Sequence, residues 1–191
     1  YGNTAGERFD GEQRALVFPG GAHSGEMDLE DLASHGYASG QSQSMATMQG
    51  TEDLDGDGNT EILITSPWHA VDYEADSGTR EGALHVISGL ASSASLDMDL
   101  GTSATSGIIG ASAELLFGFR AVEDDFDGDG VSDLIVTALG DSTGETTSGG
   151  AIFAFSNAGD DMGTSWAEAD TLSDGHIYGN DENGYLGYSI E

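Results

Sequence analysis

The sequence predicts an all-β fold built as a repeat array of short strands, and three observations carry that prediction. Thirty glycines stand against two prolines in 191 residues, alongside abundant Ser, Thr, Asp and Asn. This composition supplies the unusual φ values that many tight turns require. Short apolar runs such as Ile62-Leu-Ile-Thr65 and Leu134-Ile-Val-Thr137 have the length and β-branched content of buried strands. Those runs recur, with their flanks, at a spacing of about seventy residues, the mark of a propeller or another array whose units bury their apolar faces against each other. Long helices are not expected. A hydrophobic fraction of 37% is low, yet it suits one medium domain with a sizeable core.

The period is set by two acidic segments, Asp53-Leu-Asp-Gly-Asp-Gly-Asn-Thr-Glu61 and Asp125-Phe-Asp-Gly-Asp-Gly-Val-Ser-Asp133, which lie 72 residues apart. Before each lies strand one, over 45–49 and 117–122, and after each lies strand two, over 61–66 and 133–138. Polar loops 67–81 and 139–149 lead to strand three, over 82–88 and 150–156, where the spacing is 68. A further 68 residues upstream of Gly82, Arg14-Ala-Leu-Val-Phe-Pro-Gly20 reads as another strand three. Strand four is placed at 95–100 and 168–173, with 101–111 and 174–184 carrying the chain into the next unit. At the end, Leu186-Gly-Tyr-Ser189 matches Phe117-Gly-Phe-Arg120, and the same place in the first unit is Met45-Ala-Thr-Met48. The chain thus divides into a partial unit (1–44), two full units (45–116 and 117–185) and the opening of another (186–191), with no domain boundary between them. Strand two and its acidic loop are missing between the two partial pieces. The expectation is a segment of a longer array, whose third acidic loop begins just past Glu191, or a chain whose edges pair with another chain by strand addition.

Four arginines and no lysine face 35 Asp and Glu, a formal net charge of −31. Such a surface repels phosphate backbones and anionic lipid, which excludes nucleic acid and membrane surfaces as expected partners and makes cations the natural counterpart. Most of the acids read as a solubilising surface for a salty medium, where charges are screened over about 10 Å or less. The lack of cysteine excludes disulfides and thiolate metal sites. No stretch approaches the roughly 18 apolar residues of a membrane span, and Tyr1-Gly-Asn-Thr is not a signal peptide, so the chain reads as a mature form or an excised piece.

Calcium is a hard cation that takes six to eight oxygens, and an Asp-x-Asp-x-Asp-Gly loop supplies them from alternate residues while glycine permits the sharp turn. Two calcium sites are predicted. The first uses Asp53, Asp55, Asp57, the carbonyl of Asn59 and the carboxylate of Glu61; the second uses Asp125, Asp127, Asp129, the carbonyl of Val131 and Asp133. An EF-hand would need an acid at loop position twelve, where this chain has Ile64 and Val136, both inside apolar β runs. Closure by the ninth-position acid is the alternative. A solvated acidic turn without metal competes for either loop alone, but two copies in one strand context argue against it.

At these residues the sequence resembles the FG-GAP repeats of integrin α subunits and of many bacterial surface proteins. Phe117-Gly118 looks like the FG element, Asp125 to Asp133 like the calcium loop, and Thr137-Ala-Leu-Gly140 stands in the place of the GAP element. In the first unit Ser66-Pro67 keeps the end of that element, Met45-Ala46 replaces the FG pair, and Glu61 replaces the usual Asp. The resemblance implies a β-propeller of four-stranded antiparallel blades, with the calcium loop joining strands one and two. It also implies that partner-binding loops lie on the opposite face, here 67–81 and 139–149. Trp68, His69 and Tyr73 in the first of these are candidates for a contact patch, since interfaces favour aromatics, with packing over the blade edge as the competing reading.

No nucleophile motif, phosphate loop or zinc pattern is evident, and the five histidines are dispersed, with His85 structural in its strand. The expectation is a non-enzymatic, calcium-stabilised extracellular module for adhesion, protein interaction or surface and filament assembly, acting through blade edges or loops. The alternative is a non-catalytic propeller domain of a larger secreted hydrolase or lyase.

Overall fold

The computed structural model describes residues 13–18, 33–38, 45–54, 58–69, 80–89, 95–140, 148–156 and 166–190. The strands are β1 (Arg14–Val17), β2 (His35–Ala38), β3 (Thr47–Gly50), β4 (Glu61–Ser66), β5 (Ala83–Ser88), β6 (Ser95–Asp99), β7 (Ser106–Ile109), β8 (Phe117–Asp124), β9 (Asp133–Ala138), β10 (Ala151–Phe155), β11 (Trp166–Glu168) and β12 (Gly175–Tyr178). Two single-turn helices, α1 (Leu100–Ser103) and α2 (Ala169–Leu172), interrupt them. The protein is mostly β-sheet, in three sheets: β1-β2-β6 at the N-terminal side, β11-β7-β5-β4-β3 in the centre and β12-β10-β9-β8 at the C-terminal side. Among the described residues they do not close into a barrel or ring.

Burial shows which sheet is covered on both faces. All six residues of β4 and five of six in β5 are buried, whereas β10 alternates buried and half-buried. Continuous apolar runs belong to sheets with two covered faces, and alternation to sheets with one. Leu63, Leu84, Val86 and Ile108 on one face of the central sheet pack with Leu134, Val136, Phe153 and Phe155 of the C-terminal sheet. On its other face Ile62, Ile64 and Ile87 pack with Tyr37, Leu100, Ala15 and Val17. Each such side chain contributes roughly 1.5–3 kcal/mol on burial, so these two interfaces hold the array together.

Strands one to three lie where the sequence puts them, at β3/β8, β4/β9 and β5/β10, and strand four does not. The antiparallel neighbours of β5 and β10 are β7 and β12, inside the stretches read as connectors. Residues 95–99 and 166–168 are strands, but each crosses to the preceding sheet and pairs in parallel there, β6 on β2 and β11 on β7. Each then turns through α1 or α2 and returns as its own sheet's fourth strand. The composition of 101–111 and 174–184 hid that strand: β7 is largely buried yet half of it is Ser106 and Gly107, and β12 is mostly exposed, so neither carries a continuous apolar run. The alignment of Arg14 with Gly82 also slips by one. Leu16 pairs with Gly36 as His85 pairs with Gly107, which makes Arg14 the equivalent of Ala83. A one-residue slip exchanges the two faces of a strand, and only the observed register turns Ala15 and Val17 towards the central sheet.

The Phe117-Gly118 pair forms a joint between units. Phe117 is fully buried, bridges to Gly82 and donates its N–H to the Glu81 carbonyl at 3.0 Å. Gly118 has φ +85° in a β-bulge, and a Cβ there would lie 2.6 Å from the Ala83 carbonyl oxygen. One unit later Leu186 repeats the joint, bridging to Gly150 and donating to the Gly149 carbonyl at 2.9 Å.

Candidate metal centre

The two acidic loops are the hairpin connections β3–β4 and β8–β9, and their described residues fold alike. In the second loop the Asp133 carboxylate accepts the Phe126 N–H at 2.9 Å through Oδ2, and Asp125 Oδ2 accepts the Gly130 N–H at 3.0 Å. In the first, Glu61 Oε2 accepts the Leu54 N–H, and Asp53 Oδ2 accepts the Gly58 N–H at 2.9 Å. Position for position these are the same two bonds. Gly58 and Gly130 both have φ +91°, the left-handed conformation that folds the backbone around its own carboxylates. The loops adjoin: the Glu52 N–H points at Glu123 Oε1 at 3.4 Å, and Leu54 is buried in the core that holds Ala121 and Leu134.

Asp125, Asp127 and Asp133 each offer a carboxylate oxygen, all within 4.8 Å of one another. Oxygens that share one calcium at about 2.4 Å lie no more than about 4.8 Å apart, so the group could hold one cation, and an all-oxygen anionic donor set suits a hard ion. Asp133 is buried at the start of β9 while Asp125 and Asp127 are exposed. The predicted residues not in this group have other positions. Asp129 is exposed and its Oδ1 accepts the Val131 N–H at 2.8 Å; the Val131 side chain points to solvent. In the first loop Glu61 is buried, Asp53 and Asn59 are exposed, and Asp55 and Asp57 lie outside the described residues. Asp125 Oδ1 also accepts the N–H groups of Gly128 and Asp129, at 2.7 and 3.0 Å, which fixes its carboxylate towards the loop interior.

Of the expected contact residues, Trp68 is 40% exposed, Tyr73 lies outside the described residues, and His69 turns inward. His69, His85 and Trp166 form a ring cluster: His85 meets Trp166 edge-on at 5.1 Å and His69 edge-on at 5.7 Å, and Trp166 stacks on His69 at 6.5 Å. His85 has no exposed surface, and neither ring nitrogen finds a hydrogen-bond partner among the described residues; the same holds for His69 Nδ1 and the buried Ser66 hydroxyl. Burial pushes the His85 imidazole down to about 3, and the neighbouring His69 acts in the same direction. Burial lowers His69 too, opposed by the Glu81 carboxylate. The sequence held a signal for this cluster. His85 occupies the position that Phe153 fills one unit later, so a polar ring stands at a core site.

No protein-family model and no curated protein matches this chain. What bears on its function is therefore the pair of loops and the sheets that carry them. Among the described residues no helix is long and apolar enough to cross a membrane.

Proposed function

We propose that the chain is a segment of a calcium-stabilised β-propeller of the FG-GAP kind, working outside the cell in adhesion or surface assembly. The observation that carries this reading is the acidic triad Asp125, Asp127 and Asp133, set in a loop whose backbone bonds recur 72 residues earlier. The role of the ion is structural. Like-charged carboxylates gathered in one turn repel; a divalent cation cancels that repulsion and pins strand one to strand two, so that binding energy becomes folding energy. Each of the three sheets corresponds to one blade, whole or partial. Asp133 and Glu61 would act as ninth-position ligands at the base of strand two, with the longer Glu61 making the first site the weaker one.

Thermal melting with calcium, magnesium and a chelator tests this on wild type, Asp127→Ala and Asp55→Ala. Calcium at about a hundred times its dissociation constant adds about 2.7 kcal/mol. For a chain of this size that raises Tm by roughly 5–11 °C. Asp127→Ala should lose more of the rise than Asp55→Ala. A wild-type Tm indifferent to chelation would overturn the calcium mechanism.

A further inference from the structure

We infer that β11, with its Trp166, is an acid-released latch on the edge of the central sheet, closed over His69 and His85 while they are neutral and lifting when they take protons. Three features of this seam carry the inference. The cover comes from the next unit and is slight: β11 is three residues long, pairs only with the edge strand β7, and lays Trp166 over Gly107, where a Cβ would fall 2.5 Å from the indole ring. What it covers is polar. His85 has no exposed surface, and among the described residues neither of its nitrogens, nor His69 Nδ1, nor the buried Ser66 hydroxyl has a hydrogen-bond partner. Buried polar groups without partners destabilise the closed seam, and access of water relieves them. Finally, packing does not call for a histidine here. In the same register the equivalent of His85 is Leu16 in the N-terminal sheet and Phe153 in the C-terminal sheet.

The groups around the rings set the sign. On the face that carries His85, β4 presents Ile64 and Ser66, β7 presents Gly107 and β11 presents Trp166, while the acid of β11, Glu168, is exposed. From the N-terminal side Ala15, Val17, Tyr37 and Leu100 pack on the same face, and Tyr37, its hydroxyl pushed up by burial, stays neutral at every pH considered. Among the described residues that leaves His69, which disfavours a proton on His85, and Glu81, which favours one on His69 less strongly than burial opposes it. Under the closed latch both rings are therefore kept neutral. With β11 lifted, water reaches them and they titrate near the ordinary value of 6.5. Falling pH consequently favours the open form from about 6.5 downwards, while the Phe117 joint still ties the two units. For His85 alone, a value of about 3 closed against 6.5 open makes opening about a hundredfold easier at pH 4.5 than at 7.5. The latch depends on the ring cluster and not on calcium, so chelation-insensitive melting would leave it standing.

Amide hydrogen exchange on the intact chain tests the latch, at fixed calcium and at pH 7.5 and 4.5, with rates corrected to protection factors. The β11 amides should be less protected than those of β9 and β10 at both pH values, because β11 lifts without the sheets unfolding. Between the two pH values their protection in wild type should fall about a hundredfold more than in His85→Phe, which keeps a ring but cannot take the proton. His85→Leu, matching the N-terminal sheet at this position, serves the same comparison if the Phe variant does not fold. Protection of β11 equal to that of β9 and β10 at both pH values would mean that the strand leaves only on global unfolding, and overturns the inference. An equal fall in wild type and variant overturns it as well.

Discussion

Acidifying the solution from pH 7.5 to 4.5 should destabilise this protein through His85, by an amount the structure sets. The ring is fully buried between its own strand, His69 and Trp166 of the next unit, with no described partner for either nitrogen. Its folded value is lowered to about 3 from an ordinary value of 6.5. A lowered folded value means that the unfolded chain binds the proton first, so the contribution is fully present above 6.5 and declines as pH falls towards 3. At pH 4.5 the unfolded chain is nearly all protonated at this site and the folded chain hardly at all, a loss of about 3 kcal/mol. For a chain of this size that lowers Tm by roughly 6–12 °C. His69, lowered for the same reason, adds in the same sense. Protonation of the 35 acids also changes stability over this interval, so the assay is a difference: urea unfolding of wild type and His85→Leu at both pH values. The variant should lose about 3 kcal/mol less than wild type between them. Equal losses would refute the argument that the buried ring is kept neutral by the fold.

Three further outcomes follow from the same geometry. Asp133→Asn keeps an acceptor for the Phe126 N–H, so chelated protein should melt near wild type while the calcium-dependent rise in Tm shrinks. Gly118→Ala forces a Cβ against the Ala83 carbonyl at a φ of +85° and should cost at least about 2 kcal/mol in urea unfolding; Gly175→Ala, with no atom within 4 Å, should stay within about 0.5 kcal/mol of wild type. Trp166→Ala should cost about 2–4 kcal/mol and, by letting water reach His69 and His85, flatten the acid dependence described above.

Much of the architecture is legible in the residues, and what is not legible shares one cause. The acidic loops and the apolar runs beside them are local: a turn that needs glycine at φ +91° and a strand that needs β-branched residues write their requirements into adjacent positions. Asp125, Asp127 and Asp133 could be named from spacing because a hairpin loop folds back on itself within nine residues. Strand four could not, because Gly175-His-Ile-Tyr178 is specified by what lies beside it, β10, about twenty residues earlier in the chain. The parallel strands β6 and β11 are less local still, each being defined by a sheet of the preceding unit. The ring cluster is legible only in part: His85 at the core position that Phe153 fills one unit later marks a polar ring in the core, but its neighbours His69 and Trp166 sit on a loop and on a strand of the next unit and cannot be joined to it from spacing.

Non-locality also explains how the array coheres. If each sheet were complete within its own unit, the units would meet only through flat apolar faces and could separate singly. Because β11 leaves its unit to pair with β7, and Trp166 on it covers Gly107 and both histidines, the central sheet lacks its edge strand and its aromatic cover until the next unit is in place. The Phe117 joint ties the same two units at a second point, through the Glu81 carbonyl and the bridge to Gly82. Separating them therefore breaks backbone hydrogen bonds and uncovers a buried face in the same step, which makes the pair of units, rather than the single sheet, the cooperative element of this fold. The acidic loops lie at that shared boundary, where Leu54 of one is packed into the core of the other's sheet. A cation bound in either loop, as proposed, would therefore act on the stability of both units.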